Sequence, residues 1–306
     1  MKLRIATRSS ALALWQANEV ARRLRDAWPG LDTELCTFTT TGDRFLGQPL
    51  AEIGGKGLFT KELEVALADG DADIAVHSLK DMPSALPDGL VIGAVPTRGD
   101  VRDCVVTRSG EPPEAPAIVG TSSLRRTCLA RVRWPDAHIE PIRGKVETRV
   151  GRLHEAPPRQ VDAVLLAWVG LLRLEINERE DLDFLPLNPE RWIPAVGQGA
   201  LAVECRAGDV TTLERLAPLH DVGAAACTTA ERAFLRGVEG DCRVPVGAYA
   251  TRDRGQLRLR AFVGHPEGGE RFEHTAVGSD PEALGAEAAD AVLSAGGAEV
   301  LASLRA

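Results

Sequence analysis

Three stretches of this chain carry residue types able to do chemistry. The first is Val76-His77-Ser78-Leu79-Lys80-Asp81-Met82-Pro83, where a cation and a carboxylate adjoin at the end of an apolar run. If that run is a strand, Lys80 and Asp81 stand at its carboxyl end, where open α/β sheets place ligands. There they form an acid–base pair at a cleft edge. The plain alternative is that Asp81 shapes the turn before Pro83. His77 continues the apolar run and is expected in the core or in a buried hydrogen bond.

The second stretch is residues 121–152. Its cations are Arg125, Arg126, Arg131, Arg133, Arg143, Lys145, Arg149 and Arg152, against the acids Asp136, Glu140 and Glu147. That is a local charge of +5 in a chain whose formal net charge is −8. A solvated helix face usually mixes its signs. This one does not, which points to an anionic ligand. Arginine outnumbers lysine seven to one there, and the planar guanidinium suits bidentate pairing with carboxylate or phosphate. Val119-Gly120-Thr121-Ser122-Ser123 echoes Ile5-Ala6-Thr7-Arg8-Ser9-Ser10, each placing a serine pair between a strand and a helix pattern. Helix N-termini offer free N–H groups and a positive dipole end. Two such termini facing a cleft would bind anions; plain N-capping is the alternative for either one.

The third is Glu239-Gly240-Asp241-Cys242-Arg243-Val244-Pro245, a polar loop past a helix pattern. Its thiol should be reachable, with Arg243 favouring thiolate and Asp241 opposing it. A reachable loop thiol is either incidental or a nucleophile. Cys36, Cys104, Cys128, Cys205 and Cys227 lie in helix or strand contexts and read as inert core thiols. Gly54-Gly55-Lys56-Gly57 is no P-loop, because Leu58 stands where Ser or Thr is required. It reads as a mobile loop that brings Lys56 over a ligand.

The elements that must position these groups alternate. Residues 3–7 pattern as a strand, and a helix capped by Ser9 or Ser10 runs to about 27, with Leu12, Trp15, Val20 and Leu24 near one face. Trp28-Pro29-Gly30 stops it. A strand at 34–40, a helix at 58–68 and a strand at 73–77 follow. This order predicts a mostly parallel sheet with helices on both faces. The proline-rich residues 111–117 interrupt it. A second αβ unit then has strands at 118–120, 138–142 and 161–166, and helices at 122–132, 146–154 and 168–174. Residues 177–194 read as a connection, and 195–204 as a glycine hinge entering a strand. The last segment predicts a helix at 224–235, strands at 247–251, 256–263 and 270–277, and a closing helix at 281–293: an α+β domain with an antiparallel sheet.

Composition narrows the classes. The 306 residues suffice for two or three domains without a disulfide or metal staple. With 44% hydrophobic and 26% charged residues, the chain is neither disordered nor fibrous. Its acidic balance argues against a general nucleic-acid binder. The start, Met-Lys-Leu-Arg-Ile-Ala-Thr-Arg, shows no apolar run of signal-peptide length. The apolar residues 163–172 make about half a membrane span. A soluble cytoplasmic protein with reduced thiols is expected. The absence of Cys-x-x-Cys removes support for zinc ribbons. A two-lobed anion receptor or a regulator's effector domain would explain the lobes and the arginines. It would leave Asp81 and the Cys242 loop unexplained, and neither a secretion signal nor a DNA-binding helical unit is evident. A phosphate-handling transferase lacks a complete nucleotide motif.

The combination resembles the porphobilinogen deaminase family, also called hydroxymethylbilane synthases, over nearly the whole chain. The matching motifs begin with Ala6-Thr7-Arg8-Ser9-Ser10-Ala11-Leu12-Ala13-Leu14-Trp15-Gln16, Gly54-Gly55-Lys56-Gly57-Leu58-Phe59 and Ala75-Val76-His77-Ser78-Leu79-Lys80-Asp81-Met82-Pro83. They continue, in the family's order, with Val119-Gly120-Thr121-Ser122-Ser123-Leu124-Arg125-Arg126, Arg143-Gly144-Lys145-Val146-Glu147-Thr148-Arg149, Pro194-Ala195-Val196-Gly197-Gln198-Gly199-Ala200 and Cys242-Arg243-Val244-Pro245-Val246-Gly247.

The resemblance implies an α/β fold of two lobes similar to periplasmic binding proteins plus a smaller C-terminal α+β domain. Domain 1 would comprise 1-96 and 195-216, domain 2 residues 97-194, and domain 3 residues 217-306. It implies a dipyrromethane cofactor, built from two substrate units and held by a thioether at the position of Cys242. Four porphobilinogen molecules are then added, each losing ammonia, and hydrolysis releases hydroxymethylbilane. Asp81, assisted by Lys80, matches the catalytic position and would stabilise positive charge at the pyrrole nitrogens. Cofactor binding would fall to Arg8, Ser10, Lys80, Asp81, Thr121, Ser122, Ser123, Arg125, Arg126, Arg143, Gly144 and Arg149. Substrate binding would fall to Arg8, Lys56, Phe59, Arg143, Lys145, Arg149 and Gln198. No metal, nucleic acid or membrane is implied, and a monomer is. Three positions depart from the family pattern. Lys145 stands where Asn is usual, Trp168 replaces a small residue, and Asp241 stands where Gly is common.

Overall fold

The computed structural model describes residues 2–44, 57–238 and 244–304. Its strands, in chain order, are β1 (Lys2–Arg8), β2 (Asp32–Phe38), β3 (Ile74–Ser78), β4 (Leu90–Ala94), β5 (Asp103–Arg108), β6 (Ile118–Gly120), β7 (His138–Glu140), β8 (Ala163–Ala167), β9 (Leu182–Pro186), β10 (Leu201–Arg206), β11 (Val246–Asp253), β12 (Gln256–Gly264) and β13 (Arg271–Gly278). The chain divides into two compact units, Met1–Gly99 with Gly199–Thr228, and Asp100–Gln198 with Thr229–Ala306.

The first unit is built on a five-stranded sheet of order β2-β1-β3-β10-β4. β1 pairs in parallel with β2 and β3, as strand–helix–strand alternation requires. β10 pairs antiparallel with both β3 and β4. The mostly parallel sheet expected from the sequence is therefore corrected to a mixed one. A strand supplied from far downstream inserts beside β3, and local alternation carries no sign of it.

Helix Ala11–Ala27 covers this sheet. Ser10 caps it, its hydroxyl accepting from Ala13 N at 3.3 Å. The buried face is Ala13, Gln16, Ala17, Val20, Ala21 and Leu24, while Trp15 is exposed. Of the expected face, Val20 and Leu24 are buried, Leu12 is half-buried and Trp15 is exposed. Small side chains let the helix lie close on Leu3, Ile5, Ile74 and Val76, and a tryptophan would hold it away.

The second unit repeats the plan with the order β7-β6-β8-β5-β9. β6 is parallel to β7 and β8; β5 is antiparallel to β8 and β9. Here β5 plays the part of β10. β9 lies within the segment expected to be a connection. It is a short edge strand ending at Pro186, which leaves little strand signal. Residues 246–278 form the antiparallel sheet β11-β12-β13 expected from the sequence. Helix Pro281–Val292, capped by the Asp280 carboxylate, packs on β12 and β13. Phe262 of this sheet joins a core with Leu129, Trp134, Leu187 and Trp192. Two αβ lobes and a smaller α+β segment are present, as the fold expectation required. Among the described residues no helix is long and apolar enough to cross a membrane.

Candidate active site

In the first unit, parallel pairing brings the carboxyl ends of β1 and β3 to one edge. β1 ends at Arg8, followed by Ser9, Ser10 and the helix. β3 ends at Ser78 and turns through a 3₁₀ segment, Leu79–Asp81. That turn is held from two sides. Leu79 N donates to Ala200 O at 3.0 Å, and Gln16 Nε2 donates to Ser78 Oγ at 2.8 Å. Lys80 is half-buried and Asp81 exposed. Among the described residues the Asp81 carboxylate has no hydrogen-bond or ion-pair partner. The Arg8 guanidinium lies 4.5 Å from the centre of the Phe59 ring, a cation–π contact. Phe59 packs on Gly42, where a Cβ would come within 2.2 Å of the ring. This edge therefore gathers Arg8, Ser10, Lys80 and Asp81, with Phe59 drawn in by Arg8.

Beneath the turn, His77 is buried, as expected. Its Nε2 lies 3.0 Å from Glu204 Oε2 on β10, with both side chains almost fully enclosed. Glu64, on helix Lys61–Ala68, is buried as well. Burial, and then the nearby Glu204 carboxylate, push the Glu64 carboxyl above its ordinary value.

In the second unit the same construction recurs. β6 leads into Thr121-Ser122-Ser123 and helix Leu124–Arg133; Ser123 caps that helix, accepting from Arg126 N at 3.4 Å. Thr121 N donates to Glu140 O at 2.9 Å, and the Ser122 hydroxyl donates to Ile142 O at 2.7 Å. These bonds fasten the serine turn to the loop after β7 that carries Arg143, Gly144 and Lys145. Gly144 has φ +108°, a conformation only glycine adopts readily. Arg149 Nε donates to Gly144 O at 2.8 Å, tying the following helix back to the loop. Lys145 is exposed. Arg143 is half-buried, and its Nη1 is enclosed without a partner.

Arg125 and Arg126 lie deeper than the sequence implies, 4% and 6% exposed. Their Nη2 atoms each donate at 2.7 Å to Asp103, the fully buried first residue of β5. Arg125 Nη1 donates to Ile193 O at 2.9 Å, and Arg126 Nη1 to Leu165 O at 2.8 Å. Gln198, expected on substrate, is fully buried and donates to Asp103 Oδ1 at 2.9 Å and to Val101 O at 2.8 Å. Trp192 Nε1 donates to Asp103 Oδ2 at 2.8 Å. Burial alone would raise Asp103, but the two guanidinium groups outweigh it and hold its carboxyl well below the usual range. Burial pushes Arg125 down from its ordinary value, while Asp103 draws it back up. Two cations on one carboxylate leave one buried positive charge in excess, and both Nε atoms are enclosed without a partner. Burying a net charge is costly unless a counter-ion completes it.

Lys56, Asp241 and Cys242 lie outside the described residues, as does most of the expected mobile loop. Four of the other thiols are held above their ordinary value. Burial pushes Cys104 up to about 12 and Cys205 up to about 11, and it raises Cys128 and Cys36 as well. Cys36 is half-buried rather than in the core, because β2 is an edge strand. Trp168 packs against Phe184, ring centres 5.6 Å apart, within an apolar cluster. Asp103, Trp192, Glu64 and Glu204 were not legible as site residues. Asp103 offers one signal, a lone acid opening the apolar run Cys104-Val105-Val106.

Sequence comparison agrees with these features. The family profile described as "Porphobilinogen deaminase, dipyromethane cofactor binding domain" matches residues 3–214. The profile "Porphobilinogen deaminase, C-terminal domain" matches residues 225–294. The chain is 47% identical to a protein of Brevibacillus brevis named porphobilinogen deaminase, over 99% of this chain and 97% of the relative. It is 45% identical to the one of Syntrophotalea carbinolica, over 99% and 96%, and 41% identical to that of Staphylococcus carnosus, over 99% and 98%. With a profile across both lobes and relatives matched from end to end, this chain belongs to the porphobilinogen deaminase family.

Proposed function

We propose that the residues described above carry the family's reaction in the following way. The enzyme, a hydroxymethylbilane synthase of tetrapyrrole biosynthesis, condenses four porphobilinogen molecules with loss of ammonia and releases hydroxymethylbilane by hydrolysis. Its dipyrromethane cofactor, when bound, supplies the nucleophilic pyrrole on which the chain is extended. Cys242 anchors that cofactor through sulfur. The observation that carries this reading is the buried Arg125–Arg126–Asp103 cluster, one positive charge in excess and with two enclosed donors lacking acceptors.

Each residue's part follows from its place. Arg125, Arg126, Arg143 and Arg149 bind pyrrole carboxylates, with Thr121, Ser122, Ser123 and Gly144 shaping the turn that presents them. Arg8 and Ser10 do the same from the first unit, and Phe59 offers an aromatic face beside Arg8. Lys80 holds substrate or cofactor carboxylate. Asp81, exposed and unpaired among the described residues, accepts pyrrole N–H groups, stabilises the positive charge that develops as ammonia leaves, and moves a proton there. Lys56 and Lys145 add cations for incoming substrate. Gln198 acts through Asp103 rather than by touching substrate. No residue is assigned to a metal. The domains are 1-96 with 195-216, 97-194 and 217-306, and the enzyme works as a cytoplasmic monomer with no nucleic-acid or membrane partner.

The test is the intact mass of the chain under denaturing conditions after incubation with porphobilinogen, with peptide mapping. A gain of two linked pyrrole units on the Cys242 peptide is expected. A chain that gains nothing would replace this reading with that of a non-catalytic anion-binding module.

A further inference from the structure

Asp103 makes more contacts than a simple counter-ion needs. A carboxylate offers about four acceptor positions. Arg125 Nη2 and Trp192 Nε1 fill those on Oδ2, and Arg126 Nη2 and Gln198 Nε2 fill those on Oδ1. Nothing is left for a substrate, so any role of Asp103 in the reaction runs through its neighbours. Those neighbours are two guanidinium groups of like charge, each secured at its other end to a backbone carbonyl. Without the carboxylate they would repel one another and rotate. With it, each keeps an enclosed Nε with no partner.

We propose that Asp103 is a positioning residue, which clamps Arg125 and Arg126 into a rigid pair whose single excess charge receives one pyrrole carboxylate of the cofactor. Trp192 and Gln198 lock the carboxylate in turn, so the pair is set before any ligand arrives. Such pre-ordering removes the cost of arranging two long side chains during binding. This inference rests on the function proposed above.

The experiment uses the full chain produced in cells that make no porphobilinogen. Porphobilinogen is added, and the rate of covalent loading is followed by intact mass, with a thermal melt and circular dichroism to fix the folded fraction. Folded Asp103→Asn should load about 10- to 100-fold more slowly than wild type, the scale of a misplaced binding group. A folded variant loading at the wild-type rate, even with a lowered melting temperature, would show that Asp103 is only structural. If Asp103→Asn does not fold, Trp192→Phe removes one lock and leaves the carboxylate. It should slow loading per folded molecule about threefold, the worth of one hydrogen bond; an unchanged rate overturns the proposal. Wild type that never gains mass would instead remove the function itself, so the two failures are distinct.

Discussion

His77 Nε2 lies 3.0 Å from Glu204 Oε2, with both side chains enclosed where β3 meets β10. Four residues beyond His77 the chain exposes Asp81. A strand drawn from more than a hundred residues downstream thus anchors the root of the turn that carries the catalytic candidate. Glu204→Gln keeps the shape of the side chain and replaces its carboxyl with an amide. It should cost about 1–3 kcal/mol of stability and lower turnover by disturbing the turn. Thermal melts and steady-state kinetics check this; a variant with wild-type melting would remove the anchor from the account.

Glu64 is buried on helix Lys61–Ala68, within electrostatic reach of Glu204, His77 and Glu62. Its carboxyl titrates above the ordinary 4.5 because burial opposes its charge. The unfolded chain therefore releases this proton first, and folding stability falls as pH rises from 4.5 toward the folded value. Glu64→Gln lacks that loss. It should melt higher than wild type at about pH 8, with the difference shrinking toward about pH 4. Melting curves across that range decide it, and a difference independent of pH would refute the assignment.

Asp81→Ala should fold normally, since the exposed carboxylate has no partner among the described residues to lose. Turnover should drop by roughly 10²–10⁴, the usual contribution of an acid–base group. A purified variant with near-normal turnover would place the proton transfer elsewhere.

Gly144→Ala puts a side chain at φ +108°, with Thr148 Cγ2 only 3.0 Å from the new Cβ. The strain should cost about 1–2 kcal/mol and displace the carbonyl that Arg149 Nε engages. The expected signature is a raised KM for porphobilinogen with kcat little changed, measured at saturating and limiting substrate.

Cys242→Ala should abolish covalent mass gain, whereas Cys36→Ala should not. The Cys36 thiol is raised by its burial and so is a poor nucleophile. Mass spectrometry of both variants after exposure to porphobilinogen reads the outcome directly. Cofactor retained in the first variant would move the anchor.

Much was legible without coordinates. The local chemistry of strand, serine pair and helix predicted a serine pair at each of two equivalent helix starts, because capping depends only on near neighbours, and the structure selects Ser10 and Ser123 as the caps. The three-stranded C-terminal sheet was readable for the same reason, its alternation and turns being local. The motif order pointed to the family, and the charge imbalance over residues 121–152 marked the segment that carries the arginine cluster. Tertiary structure alone decided where those charges lie. It buried Arg125 and Arg126 on Asp103, twenty-odd residues upstream, and closed the cluster with Gln198 and Trp192 from far downstream. It also inserted β10 beside β3 and set Glu204 against His77. Residue type and spacing specify contacts only within a few residues along the chain. Long-range pairing is chosen by which strands and charges can share one buried interior, and that choice appears only when the whole chain is folded.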